Sequence, residues 1–333
     1  MTRGPGVVAS ALGLIVLAFV AGCGGGDGED AAAGGGEIAF TVNDTGWNEI
    51  WLMAPDGSER RRLTEVEPPE NDAAGMSPAW SPDGTQIAFA AQIGTREEDQ
   101  RLTEIYLMRD DGTDKRRLTT NDAFDGSPAW SPDGRHVAFT RVADSGTEAA
   151  RSGIVVLDLD RGRETQVTRV AWPSFDLSPA WSPDGSEIAF TRAAQSAGSD
   201  NPRADLYVVT PEGDGLRKLV DDGAEPDWSP DGMRIAFTSY RDKLGRTCFH
   251  ECSTSGEIYL LELESGAVER LTESEADDRS PAWAPDGRSI AFVSDRSNPQ
   301  QHENEIYVMT PSGADVRRIT QNGVWDLEPA WRP

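Results

Sequence analysis

The sequence predicts an all-β fold, a six-bladed β-propeller of four-stranded antiparallel blades closed by pairing of the C-terminal strand with the N-terminal strands. Three observations carry the prediction. First, the run Ser77-Pro78-Ala79-Trp80-Ser81-Pro82-Asp83-Gly84, followed by Ile87-Ala88-Phe89, returns in nearly the same words at 127–139, 178–190, 225–237 and 280–292. Its tryptophans, Trp80, Trp130, Trp181, Trp228, Trp283 and Trp331, stand 50, 51, 47, 55 and 48 residues apart, a period that belongs to propeller blades. Second, each period holds four short runs rich in β-branched or aromatic residues and bounded by turn residues. Third, a sixth copy begins at Glu328-Pro329-Ala330-Trp331 and runs out at Pro333. Its continuation, Glu37-Ile38-Ala39-Phe40-Thr41, stands at the other end with no Trp motif before it. The repeat is a circle cut inside one blade.

The strands are labelled A to D from the axis outward. In the first full repeat A is Pro78-Ala79-Trp80, B is Ile87-Ala88-Phe89-Ala90, C is Glu104-Ile105-Tyr106-Leu107-Met108 and D is Arg116-Arg117-Leu118-Thr119. Ser-Pro-Asp-Gly joins A to B: Pro presets φ, Asp bonds the backbone ahead of it, and Gly accepts the left-handed conformation. The C–D connections use the same chemistry, as in Ala54-Pro55-Asp56-Gly57 and Pro311-Ser312-Gly313. Two tight turns per repeat make antiparallel hairpins, so each repeat is one twisted sheet. One sheet cannot cover both its faces. Radial stacking buries them, and a Trp fills the gap between neighbours. Burying about 200 Å² of Trp at about 25 cal/mol/Å² contributes at most roughly 5 kcal/mol per repeat, gross. In the cut blade A is 329–331, B is 38–41, C is 49–53 and D is 61–64. Pairing A with B there removes the two exposed edges that an open array would keep.

The N-terminal segment has a different chemistry. Arg3 followed by the fourteen-residue apolar run 7–20 is too short for an ordinary membrane span and fits a signal peptide over 1–23. It ends Val20-Ala21-Gly22-Cys23, which resembles the bacterial lipobox, so Cys23 is the expected lipidation site and membrane anchor. Residues 24–36 are Gly, Ala, Asp and Glu only and read as a flexible tether. The propeller then covers 37–333. With 31 basic against 57 acidic residues the formal charge is −26, which argues against nucleic acid as a partner and favours a soluble, self-repelling monomer.

Candidate site residues lie on one rim. The A–B and C–D turns are short. The B–C and D–A connections share the other rim and vary, with B–C insertions at 92–103, 142–153, 193–205, 239–257 and 294–304. Variable loops on a rigid scaffold are where recognition concentrates. Three positions before the motif Pro stand Asp125, Asp176, Asp278 and Asp326, with Gly75 and Gly223 in the other two full repeats. The repeat register places these carboxylates around one mouth of the central channel, where an acidic ring would hold a cation or the basic end of a partner. Arg141, Arg192, Arg241 and Arg296 follow strand B on the same rim, and local salt bridges are the competing reading. Cys248 and Cys252 sit together in a B–C insertion. Outside the cytoplasm such a pair reads as a loop-stapling disulfide; a metal site with His250 would lack a fourth ligand and paired knuckles. The three His residues fall in different repeats, and no nucleophile elbow, His-Glu-x-x-His or phosphate loop occurs, so no catalytic residue, metal or cofactor is assigned.

The words Ser-Pro-Ala-Trp-Ser-Pro-Asp-Gly-x-x-Ile-Ala-Phe, then Glu-Ile-Tyr-x-Met, then Arg-Arg-Leu-Thr, resemble the WD40-like repeat of the TolB family across 37–333. The resemblance implies a non-enzymatic propeller that binds protein, since TolB joins an envelope complex with the peptidoglycan-associated lipoprotein and the Tol system. Two departures limit the transfer. The family carries an α/β domain before its propeller, which 24–36 is too short to hold, and its members are free in the periplasm, whereas Cys23 implies an anchor. The repeat also resembles the propellers of prolyl-oligopeptidase-like peptidases, without their hydrolase domain. The expectation is an exported lipoprotein on the outside face of the cell membrane, or the periplasmic side of an envelope membrane. It would engage an envelope protein or a peptidoglycan-associated partner. The alternatives are a propeller enzyme acting on polysaccharide or peptide, and a ligand-sensing receptor.

Overall fold

Strand A of each blade lies innermost and carries the Trp that wedges against the neighbouring blade. In a computed structural model, which describes residues 36–44, 48–65, 75–92, 102–144, 149–194, 203–242, 255–297 and 303–333, these strands are Gly75–Trp80, Phe124–Trp130, Ser174–Trp181, Ala224–Trp228, Asp278–Trp283 and Trp325–Trp331. Each packs against the A strands on either side, so they close a ring around the axis. Six antiparallel sheets radiate from it, in the order A-B-C-D. We number the blades 1 to 6, starting from the blade that holds Trp80. The B strands are Gln86–Gln92, His136–Ala143, Ile188–Ala194, Arg234–Ser239, Ile290–Ser294 and Ile38–Asn43. The C strands are Thr103–Arg109, Arg151–Asp158, Arg203–Val209, Glu257–Glu262, Glu305–Met309 and Asn48–Met53. The D strands are short, only Arg116–Arg117 in blade 1. Blade 2 adds a fifth strand, Val170–Ala171, against its strand C.

Blade 6 is built from both ends of the propeller. Ile38 faces Trp331, Ala39 faces Ala330 and Thr41 faces Leu327, with a bulge between Ala39 and Thr41. Beyond this ladder the Arg332 N–H donates to the Glu37 carbonyl at 2.8 Å. The Arg332 guanidinium reaches Glu37 at 2.8 Å and Asp110 of blade 1 at 2.7 Å. The last strand therefore completes blade 6 and ties it to blade 1.

The core is a ring of interfaces. Each apolar cluster spans two neighbouring blades: Ala39, Ile50 and Leu52 of blade 6 with Trp80, Ile87 and Phe89 of blade 1, and Leu206 and Val208 of blade 3 with Trp228, Ile235 and Phe237 of blade 4. The strand-B phenylalanines, Phe40, Phe89, Phe139, Phe190, Phe237 and Phe292, are fully buried in all six blades. In four blades a strand-C tyrosine lies against this ring, with centroids 5.8 or 5.9 Å apart. The tryptophans alternate. The indole N–H groups of Trp130, Trp228 and Trp331 donate to carbonyls of Ala79, Ala180 and Ala282 in the preceding blade, at 3.2, 3.2 and 3.1 Å. Those of Trp80, Trp181 and Trp283 find no acceptor among the described residues. Against these three rings lie Arg332, His136 and Arg234 instead.

A second repeated feature concerns the residue before the motif Pro. Ser77, Ser127, Ser178, Glu225, Ser280 and Glu328 all have φ between 50° and 53°. Each sits in a bulge of strand A. A non-Gly residue there costs on the order of 1–3 kcal/mol. The surroundings hold it. In four blades the N–H of this residue donates to a strand-B threonine of the preceding blade: Ser77 to Thr41, Ser178 to Thr140, Glu225 to Thr191 and Ser280 to Thr238, at 2.9–3.1 Å.

Two changes test this architecture. Deleting 329–333 removes most of strand A of blade 6, and Trp331→Ala removes only its wedge. The deletion is expected to abolish the cooperative melt and expose a strand edge to aggregation. Trp331→Ala is expected to cost about 3–5 kcal/mol in denaturant titration. A deletion variant that melts like its parent would refute closure by the terminal strand.

Candidate functional site at the channel rim

The D–A corner carboxylates are built into the blades. Asp125, Asp176, Asp278 and Asp326 have no exposed surface. The expected ring open to the channel mouth is therefore absent: Asp125, Asp176 and Asp278 bond side chains of strand B or just past it in their own blades, and Asp326 turns to Asn322. Asp125 stands opposite Arg141 and Asp176 opposite Arg192 in the A–B register. Arg141 Nε and Nη2 hold Asp125 at 2.7 and 2.8 Å, and Arg192 holds Asp176 at 2.6 and 2.8 Å. Arg296 lies two residues past the register partner of Asp278 and reaches it through Nη2 at 2.6 Å. These guanidinium groups also lie over the strand-B phenylalanine, 5.2 Å from Phe139, 5.5 Å from Phe190 and 5.2 Å from Phe292. Carboxylate, guanidinium and aromatic ring form one brace.

The other members of the two sets do not meet. Among the described residues Arg241 meets no carboxylate: its blade carries Gly223, where a Cβ would stand 2.9 Å from Leu206 and 3.0 Å from Phe237. It bonds Ser239 Oγ and the Asp221 carbonyl, at 2.9 Å each, and covers Phe237 and Tyr259. Asp326 has Val42 opposite it and, among the described residues, no arginine in ion-pair contact; Asn322 Nδ2 donates to both its oxygens at 3.0 Å. Burial pushes the Asp326 carboxyl up to about 7, with Glu305 adding to the rise. Burial also raises Asp125 and Asp278 against the pull of their arginines.

Sequence reasoning passed over the groups around the axis. Five of the six blades place Ala just before the Trp; blade 4 places Asp227. Its Oδ2 accepts the Trp283 N–H across the blade boundary at 2.6 Å, and burial lifts its carboxyl to about 7. Two blades replace the bulge serine with glutamate. Glu328 accepts from Ser77 N–H at 2.7 Å and Thr41 Oγ1 at 2.8 Å, and Glu225 from Ser280 N–H at 2.9 Å and Thr238 Oγ1 at 2.8 Å. One position earlier stand Met76, Gly126, Leu177, Ala224, Arg279 and Leu327, a single cation in an uncharged set. Arg279 is only 16% exposed, holds Asp277 at 3.3 Å, and lies in the field of Glu225 and Glu328. Tyr240 completes the group: burial first, then Asp277 and Glu225, pushes its phenol well above its usual range. The signal was present in the repeat alignment, since Asp227 and Arg279 are departures from it. Cys23, Cys248 and Cys252, and most of the B–C insertions, lie outside the described residues. Among the described residues no group of three or more His, Cys, Asp or Glu is placed to hold a metal ion.

This architecture has counterparts. Crystalline TolB from Acinetobacter baumannii superposes with a TM-score of 0.67 at 22% identity, covering 90% of this chain and 67% of that one. A model described as the TolB beta propeller domain matches residues 248–333. The propeller is TolB-like. A TolB homolog of Chlorobium chlorochromatii is 30% identical over 139 residues, 42% of this chain and 28% of that protein. The uncharacterized peptidase YuxL of Bacillus subtilis is 25% identical over 142 residues, 34% of this chain and 21% of that protein. The chain thus spans under a third of the length of these two relatives.

The unpaired Asp326 of this TolB-like propeller makes stability depend on pH. Its carboxyl titrates near 3.8 in the unfolded chain and about 7 in the fold. The stability that its protonation contributes is fully present below about pH 4 and lost as pH rises through 7. Asp326→Asn keeps the site neutral. Its stability relative to the parent is expected to improve by about 2–3 kcal/mol between pH 5 and pH 8. Denaturant titrations at the two pH values read this, and an offset independent of pH would contradict it.

Proposed function

We propose that the chain is a non-enzymatic, envelope-anchored binding scaffold. In this reading 1–23 direct export, Cys23 carries lipid, 24–36 act as a tether, and the B–C/D–A rim of the propeller engages a protein or peptidoglycan-associated partner. The observation that supports it best is the break in symmetry at blades 4 and 5. Repeats built for packing alone have no need of Arg279 and Asp227 where the other blades carry small or apolar residues. Half-buried charged groups are costly unless they are paired or used. Arg279 lies in the field of Glu225 and acts on Tyr240, which opens the B–C insertion of blade 4 in the sequence, and variable loops on a rigid scaffold are where recognition concentrates. The TolB-like relatives favour an envelope location and a binding role, as the family resemblance implies.

The test is photo-crosslinking in the native envelope. A photoreactive phenylalanine analogue replaces Tyr240 at the rim or Val316 at an outer turn, 38% exposed. Defined protein or glycan adducts are expected at 240 and lost in Arg279→Ala. Equal labelling at both positions would overturn the assignment of this rim.

A second reading has one observation in its favour. Asp227, with a carboxyl near 7 beside the axis, has the protonation behaviour of a general acid–base in an enzyme of polysaccharide or peptide. It predicts that Asp227→Asn abolishes turnover yet leaves the adducts at 240 intact.

A further inference from the structure

The opposite rim carries a site of different chemistry. Between blades 3 and 4, at the A–B turns, a groove of about 430 Å³ is lined by Ser182, Asp184, Glu187, Trp228, Asp231 and Leu263. The same groove between blades 6 and 1 is filled by the chain itself. There Arg332 lies 5.0 Å over the Trp80 ring and spans Glu37 and Asp110. The repeat matches the two positions closely. Glu187 and Glu37 both precede the Ile-Ala-Phe of strand B, and Trp228 and Trp80 both end strand A. Leu263 stands where Asp110 does, and Ser182 stands in the place of Arg332.

Glu187 is held by Arg217 at 2.8 and 2.9 Å, which does not close the groove to another cation. Glu37 is likewise held by Arg61, at 3.2 Å, and still binds Arg332. A third groove, between blades 4 and 5, seats Arg234 5.0 Å over Trp283. Among the described residues no cation covers Trp228. Two more carboxylates line its groove, Asp184 and Asp231, the latter with Arg234 at 3.8 Å. The Ser182 hydroxyl, then Ser186, hold Asp184 down to about 2, and the Ser229 hydroxyl lowers Asp231. Both are therefore ionised at any physiological pH. Leu263 offers an apolar wall for a methylene stem.

We propose that the blade 3–4 groove is a docking site for an arginine side chain of a partner protein, received over Trp228 and among Asp184, Glu187 and Asp231. Arginine fits better than lysine because the filled grooves use a planar group that stacks and forks. The site lies on the rim away from the B–C loops, so it stands whether or not that rim binds.

The probe is N-acetyl-arginine amide, titrated into the labelled protein while the Trp228 indole N–H is followed by NMR. That signal is assigned with Trp228→Phe. A saturable shift is expected, with a dissociation constant on the order of millimolar. The lysine amide should bind several-fold more weakly and the citrulline amide should not shift the signal. Asp184→Asn with Asp231→Asn should weaken binding about tenfold. Ser182→Arg should fill the groove as Arg332 fills its own and abolish the response in a protein whose other indole signals are unchanged. No shift with arginine, an equal shift with citrulline, or an unaltered response in the double Asn variant would overturn the proposal.

Discussion

Ring closure is the constraint on which every other feature rests. Each sheet leaves both faces apolar and can bury them only between two neighbours, so no blade is stable unless its neighbours stay in place. The pairing of Ile38–Asn43 with Trp325–Trp331 supplies the last neighbour for blades 5 and 1. Arg332 extends the closure sideways, from Glu37 to Asp110, so that the blade formed last is also fixed to the next. The strained bulge residues fit the same picture. In four of the six a threonine of the preceding blade receives the N–H, which couples local backbone geometry to closure.

The charges divide into those that brace and those that do not. A buried carboxylate costs several kcal/mol unless paired with good geometry. Asp125 and Asp176 meet that condition through two guanidinium contacts each, and Asp278 through Arg296 and the Ser294 hydroxyl. Removing one arginine would leave a buried charge without compensation, so these pairs act as stays of the rim. Asp326 shows the alternative outcome. Where blade 6 takes strand B from the N-terminal end, it has Val42 and Asp44 in place of arginine, and burial raises the carboxyl to about 7 instead.

Departures from the repeat concentrate on blades 3 to 5. On one rim Glu225, Arg279 and Tyr240 gather; Asp227 stands one residue before Trp228, bonded to the backbone of Trp283, and on the opposite rim the Trp228 groove lacks the cation that two sister grooves hold. Repetition provides an internal control here. The same backbone position is seen six times in one molecule, so a single exception stands out against five examples of what packing alone accepts.

By itself the sequence determined the blade number, the strand order, the turn chemistry and the closure. These depend on short words and their spacing, and a repeat states each of them several times. The six buried phenylalanines and the Asp–Arg pairs of blades 2 and 3 could be read from strand register in the same way. Only the tertiary structure decided that the corner aspartates are buried stays and do not form an open ring. Side-chain direction at a blade corner is set by packing against strand B, not by position in the motif. It alone revealed the six left-handed residues before proline, four of them held by a threonine of the neighbouring blade. It alone placed Arg332 over Trp80, a contact between residues far apart in the chain and adjacent only once the circle is closed.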